Sequence, residues 1–515
     1  MKSSMPFLLL AMITVPWFST ALAASDWDPT AVAAGMYRAH ESEAPTAIVI
    51  TGEITTMGLT GPYEIVLTSD GRFHWETNTR LNNNLGYDGQ IAWERDWNQT
   101  PRQLQQKEYD RSILETLLWS GAWSRGSDAN GRLELGAVSD STEGQWQVSY
   151  TFGDRGMHGI ITIDRAQNEV IAYSSGTKGD MQSYLLSDFQ DFGGVRWPAL
   201  TTLKTEGASD SIFKAHDIKV IGDAQEITEL LAPNLEMPAG FRFNDDLPAD
   251  LEIKRAPTGH LLVHPLVDGQ DVGWFIFDTG AGAIVLDNVA ASTLGYSPFG
   301  EIVAEGVGGR ITTCFYQGET LQLGRLEIES PIYASLDLAF LNGIMGVDVA
   351  GIIGYGVLSR AIVEFDHLTP RIALFDEATY SLSEGQWSEM QLADRLPNVP
   401  GKFEGHTGIF KLDTGATGTV TFFHPTTERL QLLKNRRLTD THLGGVGGAI
   451  AAKKGLMQWV ELGGHRMENV EVSFATETKG VFGGAYTDGN VGTELLDPFT
   501  LVFDYQNTRI AFLKR

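Results

Sequence analysis

The sequence predicts a mainly β protein in which an N-terminal antiparallel domain precedes two copies of one β-rich lobe. A chain of 515 residues is long enough for about three domains that each bury a core of their own. Alternating apolar and polar residues around Asp-Gly dipeptides dominate the first part of the chain. The remainder repeats its motifs in one order at a nearly constant offset.

The chain begins with a stretch typical of a cleaved secretory signal. Lys2 precedes an apolar run from Phe7 to Phe18, and Ala21-Leu22-Ala23 forms a small-residue cleavage site. The run is too short for a membrane-spanning helix and contains Pro16. We therefore expect residues 1–23 to be a signal peptide and the mature protein to be exported, periplasmic or secreted, without a membrane anchor.

Charge and composition restrict the partners. The formal net charge of −27 disfavours nucleic acids and anionic membrane surfaces, which attract an excess of Lys and Arg. The single cysteine, Cys314, has no second cysteine with which to form a disulfide. His260 and His264 share a strand face, but no third ligand follows them, so we expect no metal and no cofactor.

We expect residues 24–231 to form the N-terminal antiparallel β domain. Asp70-Gly71 and Asp88-Gly89 each predict a tight hairpin, because glycine tolerates the positive φ that such turns need. One helix is predicted in "DRSILETLLWSGAW", with Asp110 as its N-cap. Eight of the eleven tryptophans left after signal removal lie in this part of the chain, where they either fill a core or line an apolar cleft.

A proline-rich stretch separates this domain from the repeat. Four prolines stand among acidic and small residues between Ala232 and Pro257, so we expect residues 232–249 to be a linker. The repeat then predicts a first lobe over residues 250–378 and a second over 379–515.

The strongest signal is an Asp-Thr-Gly-Ala motif that occurs once in each lobe. Asp278 and Asp413 are 135 residues apart, and each follows a hydrophobic run that predicts a buried strand. If the lobes face each other about a pseudo-twofold axis, the two carboxyl groups meet and share one proton. One acid can then act as a base on water and the other as an acid on an amide oxygen, without a metal.

On these motifs, residues 250–515 resemble the aspartic peptidases of the pepsin and retropepsin clan, with two retropepsin-sized lobes fused in one chain. The resemblance implies a bilobal, double-barrelled β fold with Asp278 and Asp413 as the catalytic dyad. It implies that Thr279 and Thr414 bond across the two turns, beside Gly280 and Gly415. Because both lobes lie in one chain, we expect a monomer that acts on peptides or unfolded proteins.

The same resemblance assigns two further pairs of segments. The loops threaded below the aspartates, called psi-loops here, are Ile352, Ile353 and Gly354 in the first lobe and Asn490, Val491 and Gly492 in the second, where Asn490 departs from the apolar pattern. The glycine-rich tips of the flaps that close over substrate are Gly306, Val307, Gly308 and Gly309, and Gly445, Val446, Gly447 and Gly448.

Ala281 and Ala416 indicate the pH range in which the activity should be highest. Alanine offers no hydroxyl to bond the carboxylates and lower their pKa, whereas Ser or Thr is common at this position in pepsin-type motifs. We therefore expect an activity optimum nearer pH 5 to 7 than pH 2.

A second resemblance concerns the N-terminal domain. "GYDGQIAW" and "SDFQDFGGVRWPALTTL" resemble segments of LolA-type lipoprotein carriers, which implies a half-barrel around an apolar cavity and a lipid or lipidated protein as partner. Such a domain would carry apolar chains or present them to the protease. Alternatively it is an inhibitory pro-segment released near the basic pair Lys254-Arg255.

Two functions from different classes therefore compete. The first is an exported aspartic endopeptidase that hydrolyses peptide bonds through a water activated by two aspartates. The second is a non-catalytic lipid- or lipoprotein-binding protein that retains a protease-like shell.

Overall fold

The computed structural model describes residues 47–125, 131–140, 144–177 and 180–514. The predicted signal peptide, residues 1–23, lies outside the described residues. The described chain is mostly β-strand, as the sequence predicts, and its strands form five sheets.

The first sheet, called the N-terminal sheet here, has thirteen antiparallel strands. Its spatial order runs from β6 back to β1, then directly to β13 and back to β7, so that two meanders meet where β1 pairs with β13. The Asp-Gly hairpins are confirmed: Gly71 and Gly89 have φ of 87° and 102° and connect paired strands. The strands are β1 (Ala47–Thr56), β2 (Leu59–Thr68), β3 (Phe73–Thr77), β4 (Asn83–Tyr87), β5 (Ala92–Arg95), β6 (Pro101–Gln103), β7 (Leu133–Asp140), β8 (Gln145–Phe152), β9 (Met157–Asp164), β10 (Glu169–Thr177), β11 (Asp180–Phe192), β12 (Val195–Thr205) and β13 (Ser211–Ile221).

One long helix, α1 (Gln106–Trp119), packs its apolar side chains against this sheet. The predicted N-cap is wrong: Asp110 lies inside the helix, and the cap position is Gln105. The physical reason is a tertiary contact, because Gln105 Oε1 accepts a hydrogen bond from the Leu392 N–H at 2.6 Å and fixes an earlier start. A 3₁₀ turn (Ala122–Arg125) follows α1, and α2 (Ala224–Leu230) follows β13.

The first lobe contains an eight-stranded sheet, ordered β15-β16-β19-β26-β20-β25-β22-β21, and a five-stranded sheet, ordered β14-β24-β23-β17-β18. Part of the predicted linker, Phe241–Phe243, forms β14 and pairs with β24. The remaining strands are β15 (Ile253–Arg255), β16 (Leu261–Val263), β17 (Leu266–Val267), β18 (Gln270–Asp271), β19 (Trp274–Phe277), β20 (Val285–Asp287), β21 (Phe299–Gly306), β22 (Gly309–Gln317), β23 (Thr320–Leu323), β24 (Leu326–Glu329), β25 (Ile332–Leu336), β26 (Val349–Ile353), β27 (Ile362–Asp366) and β28 (Arg371–Phe375). The helices are α3 (Asn288–Thr293), α4 (Ala339–Met345) and α5 (Tyr355–Leu358).

The second lobe repeats this plan, with an eight-stranded sheet ordered β30-β31-β32-β37-β33-β36-β35-β34. Its strands are β29 (Trp387–Glu389), β30 (Gln391–Ala393), β31 (Leu396–Phe403), β32 (His406–Leu412), β33 (Val420–Phe422), β34 (Thr439–Gly445), β35 (Gly448–Leu462), β36 (His465–Ala475), β37 (Gly489–Val491), β38 (Phe499–Asp504) and β39 (Arg509–Lys514). The helices are α6 (His424–Arg429) and α7 (Thr493–Leu496), with a 3₁₀ turn at Gly480–Gly483.

A fifth sheet, ordered β28-β27-β38-β39-β29, joins the two lobes and reveals their symmetry. Antiparallel β27 and β38 place Glu364 opposite Val502. These residues are 138 apart, which is the offset of the repeat, so a local twofold axis passes between them. The same axis relates the two lobes and brings their equivalent loops face to face.

Candidate active site

Each Asp-Thr-Gly turn begins where one strand of a parallel pair ends. β19 runs parallel to β26, and the N–H of Asp278 donates to the Ile353 carbonyl at 3.0 Å. In the second lobe β32 runs parallel to β37, and the N–H of Asp413 donates to the Val491 carbonyl at 2.9 Å. The psi-loops therefore fix the backbone of both aspartates.

The two turns are joined by a symmetric set of hydrogen bonds. The N–H of Thr279 donates to Thr414 Oγ1, and that of Thr414 donates to Thr279 Oγ1, both at 3.0 Å. The Thr279 hydroxyl then donates to the Leu412 carbonyl at 2.8 Å, and the Thr414 hydroxyl to the Phe277 carbonyl at 2.9 Å. Both threonines are buried, so these bonds hold the turns rigidly against each other.

The glycines of the motif let the turns approach. A Cβ atom added to Gly280 would lie 2.5 Å from Asp413 Cγ, and one added to Gly415 would overlap the Asp278 carboxyl. Gly354 and Gly492 of the psi-loops are similarly crowded by the carbonyl oxygens of Ala283 and Gly418. Only glycine fits at these close approaches.

The two carboxyl groups are in hydrogen-bond contact and interact electrostatically. Burial and the neighbouring Asp413 carboxylate raise the pKa of Asp278 to about 8, although the Gly280 N–H opposes this rise. Two such carboxyls cannot both ionise cheaply, so the pair holds one proton over a wide range of pH.

The surroundings of the two aspartates differ. Asp278 Oδ1 accepts the backbone N–H groups of Gly280 at 2.7 Å and Gly415 at 3.2 Å. Asp413 Oδ2 instead accepts a hydrogen bond from Asn490 Nδ2 at 2.8 Å. At the equivalent psi-loop position the first lobe has Ile352, which has no hydrogen-bond donor in its side chain. The departure noted in the sequence is therefore a side-chain donor to one carboxyl.

Sequence reasoning missed Lys411 altogether. It lies two residues before Asp413 on β32, is 8% exposed, and its charge acts to lower the pKa of Asp278. Asp413 directly follows the last residue of β32, two residues after Lys411, and both side chains line the cleft. That two-residue spacing was the signal in the sequence that could have identified it.

The two flaps meet at their tips. The N–H of Gly308 donates to the Val446 carbonyl at 3.0 Å. Val307 packs against the second lobe's cluster around Phe423 and Phe482, and Val446 packs against the first lobe's core. The flaps and the dyad enclose a cleft of about 1240 Å³.

The two histidines considered as metal ligands, His260 and His264, have separate partners. His260 Nε2 lies 2.8 Å from the Gly415 carbonyl oxygen, beside the second turn, and burial lowers its pKa. His264 stacks on Trp274 and pairs with Asp271. Within the described ranges no group of three or more His, Cys, Asp or Glu side chains is arranged to hold a metal ion.

Comparison with known families agrees with this geometry. Residues 263–357 and 399–495 match the family model described as Aspartyl protease, once in each lobe. The two lobes are thus protease-like, and the resemblance to aspartic peptidases is confirmed in each of them. A comparison with curated proteins finds no match.

Solved structures are similar to both parts of the chain. A LolA superfamily protein from Nitrosomonas europaea is 8% identical, with 39% of this chain and 97% of that chain covered and a TM-score of 0.29. A DUF1329 family protein from Desulfovibrio piger is 11% identical, with coverages of 38% and 93% and a TM-score of 0.27. EIAV protease complexed with the inhibitor HBY-793 is 21% identical, with coverages of 23% and 90% and a TM-score of 0.16.

Proposed function

We propose that this protein is an exported aspartic endopeptidase that hydrolyses peptide bonds through a water activated by Asp278 and Asp413. One observation carries the proposal: repeat-related turns bring two carboxyl groups into hydrogen-bond contact at the base of a cleft that two flaps cover. The family match in both lobes supports it. Export rests on the predicted signal peptide, and no described helix is long and apolar enough to cross a membrane.

The asymmetry of the dyad suggests a role for each acid. In this proposal Asp278, whose pKa burial and Asp413 raise, is the acid that holds the shared proton, and Asp413, which accepts a hydrogen bond from Asn490, is the base. Asp413 then takes a proton from water as the hydroxyl adds to the scissile carbonyl carbon, and Asp278 gives its proton to the carbonyl oxygen. As the C–N bond breaks, Asp413 gives the proton that it took from water to the leaving amine, and a hydroxyl of the intermediate returns its proton to Asp278, which restores the singly protonated dyad.

The direct test replaces each aspartate by asparagine. Asp278→Asn and Asp413→Asn each remove one titrating carboxyl at almost constant size, so cleavage of an unfolded protein should fall by about 10³-fold or more. Pepstatin should inhibit the unsubstituted protein. Asp217→Asn, at an exposed position on β13, is the matched control and should cleave normally. Cleavage that survives either dyad substitution would overturn the proposal.

The pH dependence gives a second test. The dyad is active with one proton, so kcat/KM should decline as pH rises through about 8, where Asp278 loses it, and also at low pH, where both carboxyls are protonated. The sequence-based optimum of pH 5 to 7 lies between these limits. The measurement is a pH–rate profile with one peptide, and a maximum below about pH 3 would contradict the proposed states.

The lipid-binding alternative has less support. Helix α1 occupies the sheet face where an apolar chain would lie, and Trp119 stacks on Trp197 with ring centroids 6.0 Å apart. Trp93, Trp123, Trp146 and Trp197 are buried, while Trp119 and Trp197 also line a small apolar cavity. The lipid partner, the presenting role, the pro-segment and the monomeric state stay predictions. Lys254-Arg255 lies within β15, whose backbone pairs with β16.

A further inference from the structure

The twofold symmetry of the two lobes does not extend to the chemistry of the residues that flank the dyad. In the first lobe Ile276 on β19 lies beside Ile352 on β26. At the equivalent places in the second lobe Lys411 on β32 lies beside Asn490 on β37. All four side chains line the cleft. The two sides of one substrate site thus have opposite polarity.

The difference continues outward across two more strands. In the first lobe Val285 pairs with Ile352 and, on its other side, with Ala334. In the second lobe Thr421 pairs with Asn490 and, on its other side, with Ser473. We call Ile276, Ile352, Val285 and Ala334 the apolar row, and Lys411, Asn490, Thr421 and Ser473 the polar row. Each row crosses four adjacent strands, and every position changes from apolar to polar.

Lys411 gives the polar row a positive charge that forms no close ion pair among the described residues, although it interacts electrostatically with Asp278. Its side chain is 8% exposed, and no carboxylate outside the dyad forms an ion pair with it among the described residues. Burying an ammonium without a partner is costly. Asn490 Oδ1 is also buried and accepts no hydrogen bond from the described residues. Both groups lie where a substrate side chain would enter.

We propose that the enzyme selects peptides with an aliphatic side chain on one side of the scissile bond and a carboxylate side chain, Asp or Glu, on the other. This inference rests on the proposed function. The aliphatic side chain contacts the apolar row, and the carboxylate binds the Lys411 ammonium. A site built to pair a buried charge rejects an analogue that lacks the partner, because the ammonium then stays unpaired.

The experiment compares peptides that differ only at the two residues flanking the bond: Leu-Glu, Glu-Leu, Leu-Gln, Gln-Leu, Leu-Leu and Leu-Lys. We expect one of the two Glu peptides to be cleaved about tenfold to a hundredfold faster in kcat/KM than its Gln counterpart, and the favoured order identifies the direction of binding. If Leu-Glu is the favoured order, Leu-Lys should be the poorest substrate, because its lysine then meets the Lys411 ammonium.

Substitutions then locate the preference. Lys411→Met should abolish the preference for Glu over Gln and favour Leu-Leu, and Lys411→Arg, which keeps the charge, should retain it. Lys402→Met, on the neighbouring strand and paired with Glu461 on an exposed surface, is the matched control and should behave as the unsubstituted protein.

The outcomes separate this inference from the proposed function. Cleavage that depends on Asp278 but shows no preference for Glu would overturn the inference and leave the endopeptidase intact, as would a preference that survives Lys411→Met. Absence of any Asp278-dependent cleavage, of these peptides or of an unfolded protein, would overturn both.

Discussion

Asn490 distinguishes the two acids of the dyad, because the second psi-loop has its amide as a side-chain donor and the first psi-loop has none. It is 4% exposed and donates to Asp413 Oδ2 at 2.8 Å, whereas Ile352 occupies the equivalent place near Asp278. A hydrogen bond to the charged form of a carboxyl favours that form. The residue therefore biases which carboxyl starts the reaction as the base.

Replacing Asn490 by isoleucine makes the second psi-loop match the first. Without this donor the singly charged dyad loses the stabilisation of about one hydrogen bond, so the dyad takes up a second proton at a higher pH. We expect the acidic limb of the kcat/KM profile to move upward by about 0.5 to 1 pH unit, with the basic limb much less affected. A pH–rate profile with the best peptide measures both limbs.

Asn398→Leu is the matched control for this substitution. Asn398 is also a buried asparagine of the second lobe, but its amide donates to the Leu396 carbonyl at 2.8 Å and not to the dyad. It should leave the acidic limb unchanged. An equal displacement in both variants would show that Asn490 acts through general packing.

Residue identity alone predicted the two aspartates and their threonines, because a motif that occurs twice at equivalent places is visible in the sequence. Their catalytic role stays a prediction. The sequence placed Asn490 in the second psi-loop but could not show that its amide donates to Asp413, which lies 77 residues away along the chain. Lys411 carried one signal only, its position two residues before Asp413, and nothing in the sequence marked it as buried. Asp110 failed as a cap because contacts with the second lobe, and not local preference, set the start of α1.

The tips of the two flaps can lie close together because glycine has no side chain. Gly308 lies so close to the opposite tip that an added Cβ would overlap the Gly447 carbonyl. The first flap is also attached to the N-terminal sheet, where Arg310 Nη2 donates to Asp180 Oδ1 at 2.9 Å. The closed position is thus fixed from two sides, by the second flap and by the N-terminal sheet.

Gly308→Ala should force the tips apart. Because the tips can no longer close over substrate, kcat/KM should fall by about tenfold to a hundredfold, largely through KM. Because Gly308 is buried and Val307 and Val446 each pack against an apolar cluster of the opposite lobe, the thermal midpoint should also fall, by a few degrees. Steady-state kinetics and a melting curve give both values.

Gly444→Ala, in the second flap, is its control. A Cβ at Gly444 would meet no atom within 4 Å, and its φ is not positive, so alanine should be accepted there. Equal losses in the two variants would mean that any flap side chain obstructs substrate, and would contradict a requirement for tip contact.

The hairpins were predictable because their signals are local: Asp-Gly marks a turn, and Gly-Val-Gly-Gly marks a glycine-rich tip, whose role as a flap stays a prediction. The attachment of the first flap to the N-terminal sheet was not predictable. Arg310 and Asp180 are 130 residues apart in the chain, and an isolated arginine and an isolated aspartate carry no pattern that pairs them.

At the scale of the whole molecule, a buried ionic network joins the N-terminal sheet to the second lobe. The Arg102 side chain is 2% exposed and bonds Glu94 Oε1 at 2.7 Å, Glu108 and the Leu392 carbonyl. Although burial alone would raise it, the guanidinium groups of Arg102 and Arg395 lower the pKa of Glu94 to about 2. The sequence predicted separate units and gave no sign of this junction, because its members are scattered single charges.

The junction predicts that the N-terminal sheet and the lobes unfold together. Arg102→Met leaves Glu108, which is half-buried, without its guanidinium and leaves Glu94 with Arg395 alone, and removing one partner of a buried ion pair costs about 3–5 kcal/mol. We expect the free energy of unfolding to fall by about that amount. Urea unfolding measured by tryptophan fluorescence, which reports mainly on the N-terminal sheet, and by residual peptidase activity should give one shared and lowered midpoint.

Lys204→Met removes an exposed ion pair and tests whether the loss of stability depends on the burial of the pair. Lys204 pairs with Asp210 at 2.7 Å on an exposed hairpin, and such surface pairs contribute about 0–1 kcal/mol. Its midpoint should stay close to that of the unsubstituted protein. If Arg102→Met instead gave two transitions, with fluorescence changing first and activity retained, the N-terminal sheet would be an independent unit. The peptidase cleft would then not need it, although Asp180 from that sheet reaches the flap.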